Sequence, residues 1–98
     1  MDNLEDHLAL PRVNVNLPSP LLRLFPDAEA NPQVHAATVD DMLNALDRRW
    51  PGMRDRLADT SPSIRRHINI FVDGQRAALR TRLSHGADVF VLTAMSGG

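Results

Sequence analysis

Arg65-Arg66-His67-Ile68-Asn69-Ile70-Phe71-Val72-Asp73-Gly74 is the stretch on which the reading of this chain turns. Successive side chains of a strand point to opposite faces. Over residues 66–72, Ile68, Ile70 and Val72 therefore share one face, and His67, Asn69 and Phe71 share the other. Asp73-Gly74 then reads as a two-residue hairpin turn, because both central positions of such a turn need positive φ. The strand must return, and the expected return lies around Ala78–Arg80. Leu83 leads to a second turn at His85-Gly86 and a last strand over Asp88–Thr93, Asp-Val-Phe-Val-Leu-Thr.

Upstream, Arg12-Val13-Asn14-Val15-Asn16-Leu17 alternates without a break. It predicts a half-buried strand with Val13, Val15 and Leu17 inward. Pro18-Ser19-Pro20 stops it, since proline donates nothing to a ladder. Leu21, Leu22, Leu24 and Phe25 then read as a short apolar loop closed by Pro26 and Asp27, and a weaker strand is expected over Gln33–Ala36.

The clearest helix follows. Thr38 stands as N-cap with Asp41 three residues on, a capping-box arrangement with Asp in place of Glu. Val39, Met42, Leu43 and Leu46 fall on one helical face. Asp40 and Asp41 suit the positive end of the helix, and Arg48 and Arg49 the negative end. Pro51-Gly52 ends it. Trp50 is the single tryptophan and is expected to pack under the adjoining loop; Met53 and Leu57 predict one further helical turn. The order strand, strand, helix, strand, short strand, strand implies an α+β fold, a mixed sheet with one main helix packed on one face.

Composition narrows the chemistry. The chain has 98 residues, no cysteine, and 11 basic residues that are all arginine. One small domain is what this length supports, with a stability of about 5–10 kcal/mol. Without cysteine there is no disulfide framework, thiolate nucleophile or Cys-based metal site. Without lysine there is no Schiff base and no P-loop lysine. His7, His35, His67 and His85 have no metal-ligand spacing, and Ser61, Ser63 and Ser96 have no nucleophile-elbow context. The net charge of −1 argues against nucleic acid as a partner. Its distribution is uneven: residues 1–47 carry net −6 and residues 48–98 net +5. That basic half is either a surface that steers an acidic partner or nucleotide, or a solvated arginine-rich surface. No apolar run approaches a membrane span and residues 1–10 are acidic, unlike a signal peptide, so a cytoplasmic location is expected. Residues 1–10 read as a flexible N-terminal extension and 11–98 as the domain.

Two features outlast these exclusions. One is the Gly97-Gly98 terminus. Glycine is costly to order and useful where a backbone must pass close to something. An extended Ala94–Gly98 reaches about 16 Å at roughly 3.3 Å per residue. It could thread a channel too narrow for side chains and deliver the Gly98 carboxylate, which would need activation as an acyl-phosphate or acyl-adenylate. On the glycines alone, an incidental end is an equal alternative. The other feature is apolar side chains on the wrong face. If Ile68, Ile70, Val72, Val89 and Val91 face the helix, then Phe71, Phe90 and Leu92 face away. Such a patch marks a partner surface unless the N-terminal extension or a second copy covers it.

Together, "RRHINIFVDG", the closing "HGADVFVLTAMSGG" and the diglycine end resemble the ubiquitin-like sulfur-carrier family over residues 11–98. That family includes the small subunit of molybdopterin synthase and the carriers of thiazole and cysteine biosynthesis. "HINIFV" and "RRWPGMRDRL" resemble the cysteine-route type more than the molybdopterin type. Where relatives often read Leu-Pro-Ala after the last strand's core, this chain has Leu92-Thr93-Ala94.

The resemblance implies a ubiquitin-like β-grasp fold and a co-substrate role, with no catalytic side chains of the chain's own. An adenylyltransferase/sulfurtransferase would use ATP and Mg to activate Gly98, which would become a thiocarboxylate. A sulfur-accepting synthase, in the cysteine route a pyridoxal-phosphate enzyme, would take the sulfur. Gly97 would permit the fit, and Phe71, Phe90, Leu92 and Met95 would dock the partner. No cofactor or metal would be bound by the chain itself. A second reading is a ubiquitin-like modifier joined through Gly98 to lysines of target proteins. A third is an interaction domain with an incidental diglycine.

Overall fold

A computed structural model describes residues 10–94. Strand β1, Arg12–Asn16, buries Val13 and Val15 completely while Arg12, Asn14 and Asn16 stay at least partly exposed. Helix α1, Ser19–Leu24, follows at once, where a loop was expected. The two prolines that end β1 are compatible with a helix start: Pro18 is the extended N-cap and Pro20 lies in the first turn, where the missing N–H has no intrahelical partner anyway. Leu21 of α1 is buried and Leu24 is 52% exposed.

Strand β2, Gln33–His35, pairs antiparallel with β1, Val34 facing Val13. Thr38 then caps helix α2, Val39–Arg49, its Oγ1 accepting from the Asp41 N–H at 3.1 Å. Val39, Met42, Leu43, Ala45 and Leu46 of α2 are buried. The chain reverses through Trp50-Pro51-Gly52, Gly52 taking φ 99°, into helix α3, Met53–Leu57. Asp47 Oδ1 accepts from the backbone N–H groups of Gly52 and Arg54, both at 3.0 Å. Arg54 reaches back to Asp40 at 2.6 Å, and these contacts clamp α3 onto α2. Trp50 is half-buried against the core, with the Arg49 guanidinium 4.5 Å from its ring centroid.

Strand β3, Ile68–Val72, turns at Asp73 (φ 48°) and Gly74 (φ 87°) into β4, Gln75–Arg76. The return is therefore earlier than Ala78–Arg80. A two-residue turn pairs Val72 with Gln75 and Phe71 with Arg76 directly, leaving no slack for a later start. Strand β5, Asp88–Thr93, enters the middle of the sheet, parallel to β1 and antiparallel to β3. The order is β2-β1-β5-β3-β4.

Val13, Val15, Ile70, Val89 and Val91 of the sheet join the α2 face, Met53 and Leu57 in one core. Full burial of each such side chain stabilises the fold by roughly 1.5–3 kcal/mol. Among the described residues, no polar or charged side chain is buried. The helices thus occupy one face of a mixed sheet, as the α+β reading requires, and among the described residues the other face is left open.

Candidate functional site

The open face is built by strand alternation. Register places Asn16, Phe90, Phe71 and Arg76 in one row across β1, β5, β3 and β4. The next row sets Leu92 opposite Asn69. Burial of Val89 and Val91 fixes which way β5 faces, so Phe90 and Leu92 are turned outward at 45% and 43% exposure. Phe71, between Phe90 and Arg76, is half-buried.

The patch has polar borders. On the β1 flank, Gln33 Nε2 donates to Asn14 Oδ1 at 2.8 Å, and Asn14 Nδ2 to Asp88 Oδ1 at 3.3 Å. Asn31 Nδ2 donates to Asn16 Oδ1 at 2.7 Å, and Asn16 Nδ2 to the Val89 carbonyl at 3.1 Å. On the β4 flank, the Arg76 guanidinium donates to Asn69 Oδ1. These bonds occupy the neighbouring polar groups. What the face offers at its centre is aromatic and aliphatic surface, the composition that distinguishes the core of a protein interface.

The last described residue leads out of this sheet. Ala94 N–H donates to the His67 carbonyl at 2.7 Å, carrying the β3–β5 ladder one step past Thr93. The root of the tail is therefore held beside Arg66 and His67, one residue beyond Thr93 and two beyond Leu92. Met95, Gly97 and Gly98 lie outside the described residues, as do residues 1–9 of the expected extension; Leu10 is 40% exposed.

The Asn69–Arg76 border was missed by the sequence reading. It could have been found by placing the return strand at the turn, which puts Arg76 opposite Phe71. Among the described residues, no three His, Asp or Glu side chains come together to hold a metal ion. No helix among them is long and apolar enough to cross a membrane.

A mixed sheet with the carboxyl-terminal strand at its centre and one principal helix across a single face defines the ubiquitin-like β-grasp class. The ThiS family model matches residues 24–98, and the chain belongs to that family of ubiquitin-like sulfur carriers. SAMP1 from Haloferax volcanii is similar in structure: 26% identity, TM-score 0.74, over 89% of this chain and 99% of that one. A chain of the Amycolatopsis orientalis BexX/CysO complex matches at 26% identity and TM-score 0.77, over 88% and 99%. Mycobacterium tuberculosis CysO, described as an antigen, matches at 25% and 0.76, over 85% and 99%. No curated protein matches the sequence significantly.

Proposed function

We propose that the chain is a sulfur carrier whose Gly98 carboxylate is the working group. The observation that carries this reading is the family match, which runs through the diglycine to Gly98. An activating partner supplies ATP and Mg: the Gly98 carboxylate attacks the α-phosphorus, pyrophosphate leaves, and an acyl-adenylate forms. Hydrosulfide then displaces AMP to leave a thiocarboxylate directly. Where the donor is a persulfide, its outer sulfur displaces AMP to give an acyl disulfide; a second thiol of the partner then attacks the donor's inner sulfur, forming a disulfide and releasing the thiocarboxylate. A second partner accepts the sulfur, a pyridoxal-phosphate enzyme if the route is cysteine-like and a pterin-handling synthase if it is molybdopterin-like. The neighbour described as a BexX/CysO complex supports a carrier that works by docking onto a partner protein.

Phe71, Phe90 and Leu92 supply the docking surface, and Met95 and Gly97 belong to the tail that enters the partner. The chain provides grip and reach; the catalytic side chains are the partner's. The chemistry belongs in the cytoplasm, where ATP is available.

The similarity to SAMP1, a small archaeal modifier protein, supports the second reading, conjugation through Gly98 to lysines of other proteins. Both readings share the adenylate and separate after it. The deciding experiment is the intact mass of the protein purified from its own host. One oxygen-for-sulfur exchange, localised to Gly98 by fragmentation, is expected. Covalent conjugates with no thiocarboxylate would replace the carrier by the modifier.

A further inference from the structure

Strand β5 outruns β1 on one of its two flanks. Its ladder with β3 is bracketed by Asp73 N–H to the Asp88 carbonyl at 2.9 Å and Ala94 N–H to the His67 carbonyl at 2.7 Å. Main-chain bonding to one antiparallel neighbour alternates along a strand. Asp88, Phe90, Leu92 and Ala94 therefore turn their main-chain groups toward β3, and Ala87, Val89, Val91 and Thr93 turn theirs toward β1. The Asn14 N–H to the Ala87 carbonyl at 2.9 Å agrees with that phase. The β1 register ends at Asn16, opposite Phe90. Thr93 lies beyond it and, among the described residues, meets no strand on this flank.

Pro18 is the reason β1 goes no further. It has no N–H to offer β5. Its carbonyl is turned into α1, where it accepts from the Leu21 and Leu22 N–H groups at 3.0 and 3.1 Å. The Leu17 N–H is taken on the other side, by the Ala30 carbonyl at 2.9 Å. The Thr93 N–H and carbonyl are thus left without a main-chain partner among the described residues. Their direction is nonetheless fixed, because Leu92 and Ala94 on either side are held to β3. This bare edge stands at the root of the tail.

We propose that the Thr93 N–H and carbonyl form main-chain hydrogen bonds with an extended segment of the protein that takes up the tail, on the flank that β1 leaves bare. The proposal rests on the sulfur-carrier reading in one respect, that this partner is the one that activates Gly98. An extended Ala94–Gly98 reaches only about 16 Å at roughly 3.3 Å per residue. A partner seated on Phe90 and Leu92 and closing on Gly98 therefore encloses the root between them. A main-chain N–H sealed from water without an acceptor costs about as much as a lost hydrogen bond, so the enclosing surface has to supply a carbonyl there. Addition of an extended segment to a sheet edge supplies it through main-chain groups alone. Leu92, exposed on the open face beside Thr93, joins this edge to the apolar docking surface.

Backbone amide exchange of the full chain, alone and with the host's activating enzyme, tests the contact. In the free chain the Thr93 amide should exchange faster than those of Leu92 and Ala94, and in the complex it should slow by about tenfold or more. Thr93→Pro removes the N–H without breaking a ladder bond, and proline is tolerated on an unpaired strand edge. Its melting temperature should stay unchanged, its KM as substrate of that enzyme should rise about tenfold, and kcat should hold. Thr93→Ser and Thr93→Val keep the N–H and should behave as the parent. A Thr93 amide already slow in the free chain, no slowing in the complex, or equal losses in all three variants would each overturn the proposal. Should Thr93→Pro fail to fold, the exchange rates decide. Adenylation of Gly98 with the Thr93 amide left open removes the contact and keeps the sulfur-carrier reading. Protection of Thr93 in a complex that never adenylates Gly98 keeps the contact and removes that reading.

Discussion

Phe90 of β5 stands directly opposite Phe71 of β3, yet its strand neighbours Val89 and Val91 are fully buried. One residue of displacement along the strand thus separates a core position from an open surface, because strand side chains alternate with a period of two.

Phe90→Arg should leave the domain folded. The side chain already meets water, so the loss is confined to its cross-strand pairing with Phe71, on the order of 0.5–1 kcal/mol. Val91→Arg would instead place an unpaired charge in the core and should unfold the protein. Urea denaturation of both variants checks the contrast. If Phe90→Arg also unfolds the chain, the face assigned to docking is part of the core. With folding intact, loss of partner capture by Phe90→Arg measures the docking role separately.

Thr38→Ala should cost about 1 kcal/mol, within the roughly 0.5–2 kcal/mol range for losing an N-cap acceptor. The Asp41 N–H is then left to water at the start of α2. Thr38→Ser retains the hydroxyl and should recover most of the stability. An equal loss in both variants, read from denaturation midpoints, would mean that the methyl group rather than the cap supports the helix.

The positions of α2 and β5 follow from local signals that agree with one another. Helix α2 has a cap at Thr38, a four-residue apolar face and a Pro-Gly stop, and its limits match the expected ones. Strand β5 has a run of apolar residues, Val89-Phe90-Val91-Leu92, behind the Gly86 turn. Strand β4 carried no such signal. Gln75 and Arg76 are both exposed, so no apolar alternation marks them, and their pairing is imposed by the turn geometry. Helix α1 was hidden because Pro18 and Pro20 read as breakers, although both stand where a helix start tolerates proline. Alternation put Phe90 and Leu92 on one face and Val89 and Val91 on the other; that the first is the open face is fixed by the burial of Val89 and Val91. The Asn69–Arg76 border was not legible, since it depends on where β4 begins.

Asp59 makes the loop before β3 acid-sensitive. Its carboxylate is held below the ordinary value of 3.8, first by the Ser61 hydroxyl, then by the Ser61 and Ser63 N–H groups and the Arg65 charge; desolvation opposes them. A depressed folded-state value stabilises the fold above the unfolded-state value, and that contribution is lost as pH falls through the folded one. Stability should therefore drop as pH passes below 3.8, and Asp59→Asn should remove this part of the drop. Melting temperatures across that range test it. Parallel curves for the two proteins would show that Asp59 contributes nothing to the acid limb.

Deleting Gly98 separates the tail's chemistry from the fold. The core is complete by Val91, and Ala94 already has its backbone bond to His67, so the shortened chain should melt at the same temperature as the full one. Its carboxylate, however, would sit about 3.3 Å short of the original position. Reacting atoms must come within roughly 3–3.5 Å of each other, so a displacement of that size should abolish adenylation. Adding one alanine after Gly98 moves the carboxylate the other way and puts a β-carbon at the tip, and it should fail as well. Pyrophosphate release with the host's activating enzyme reads both variants. Activation of either at the full rate would remove the Gly98 carboxylate from its proposed role.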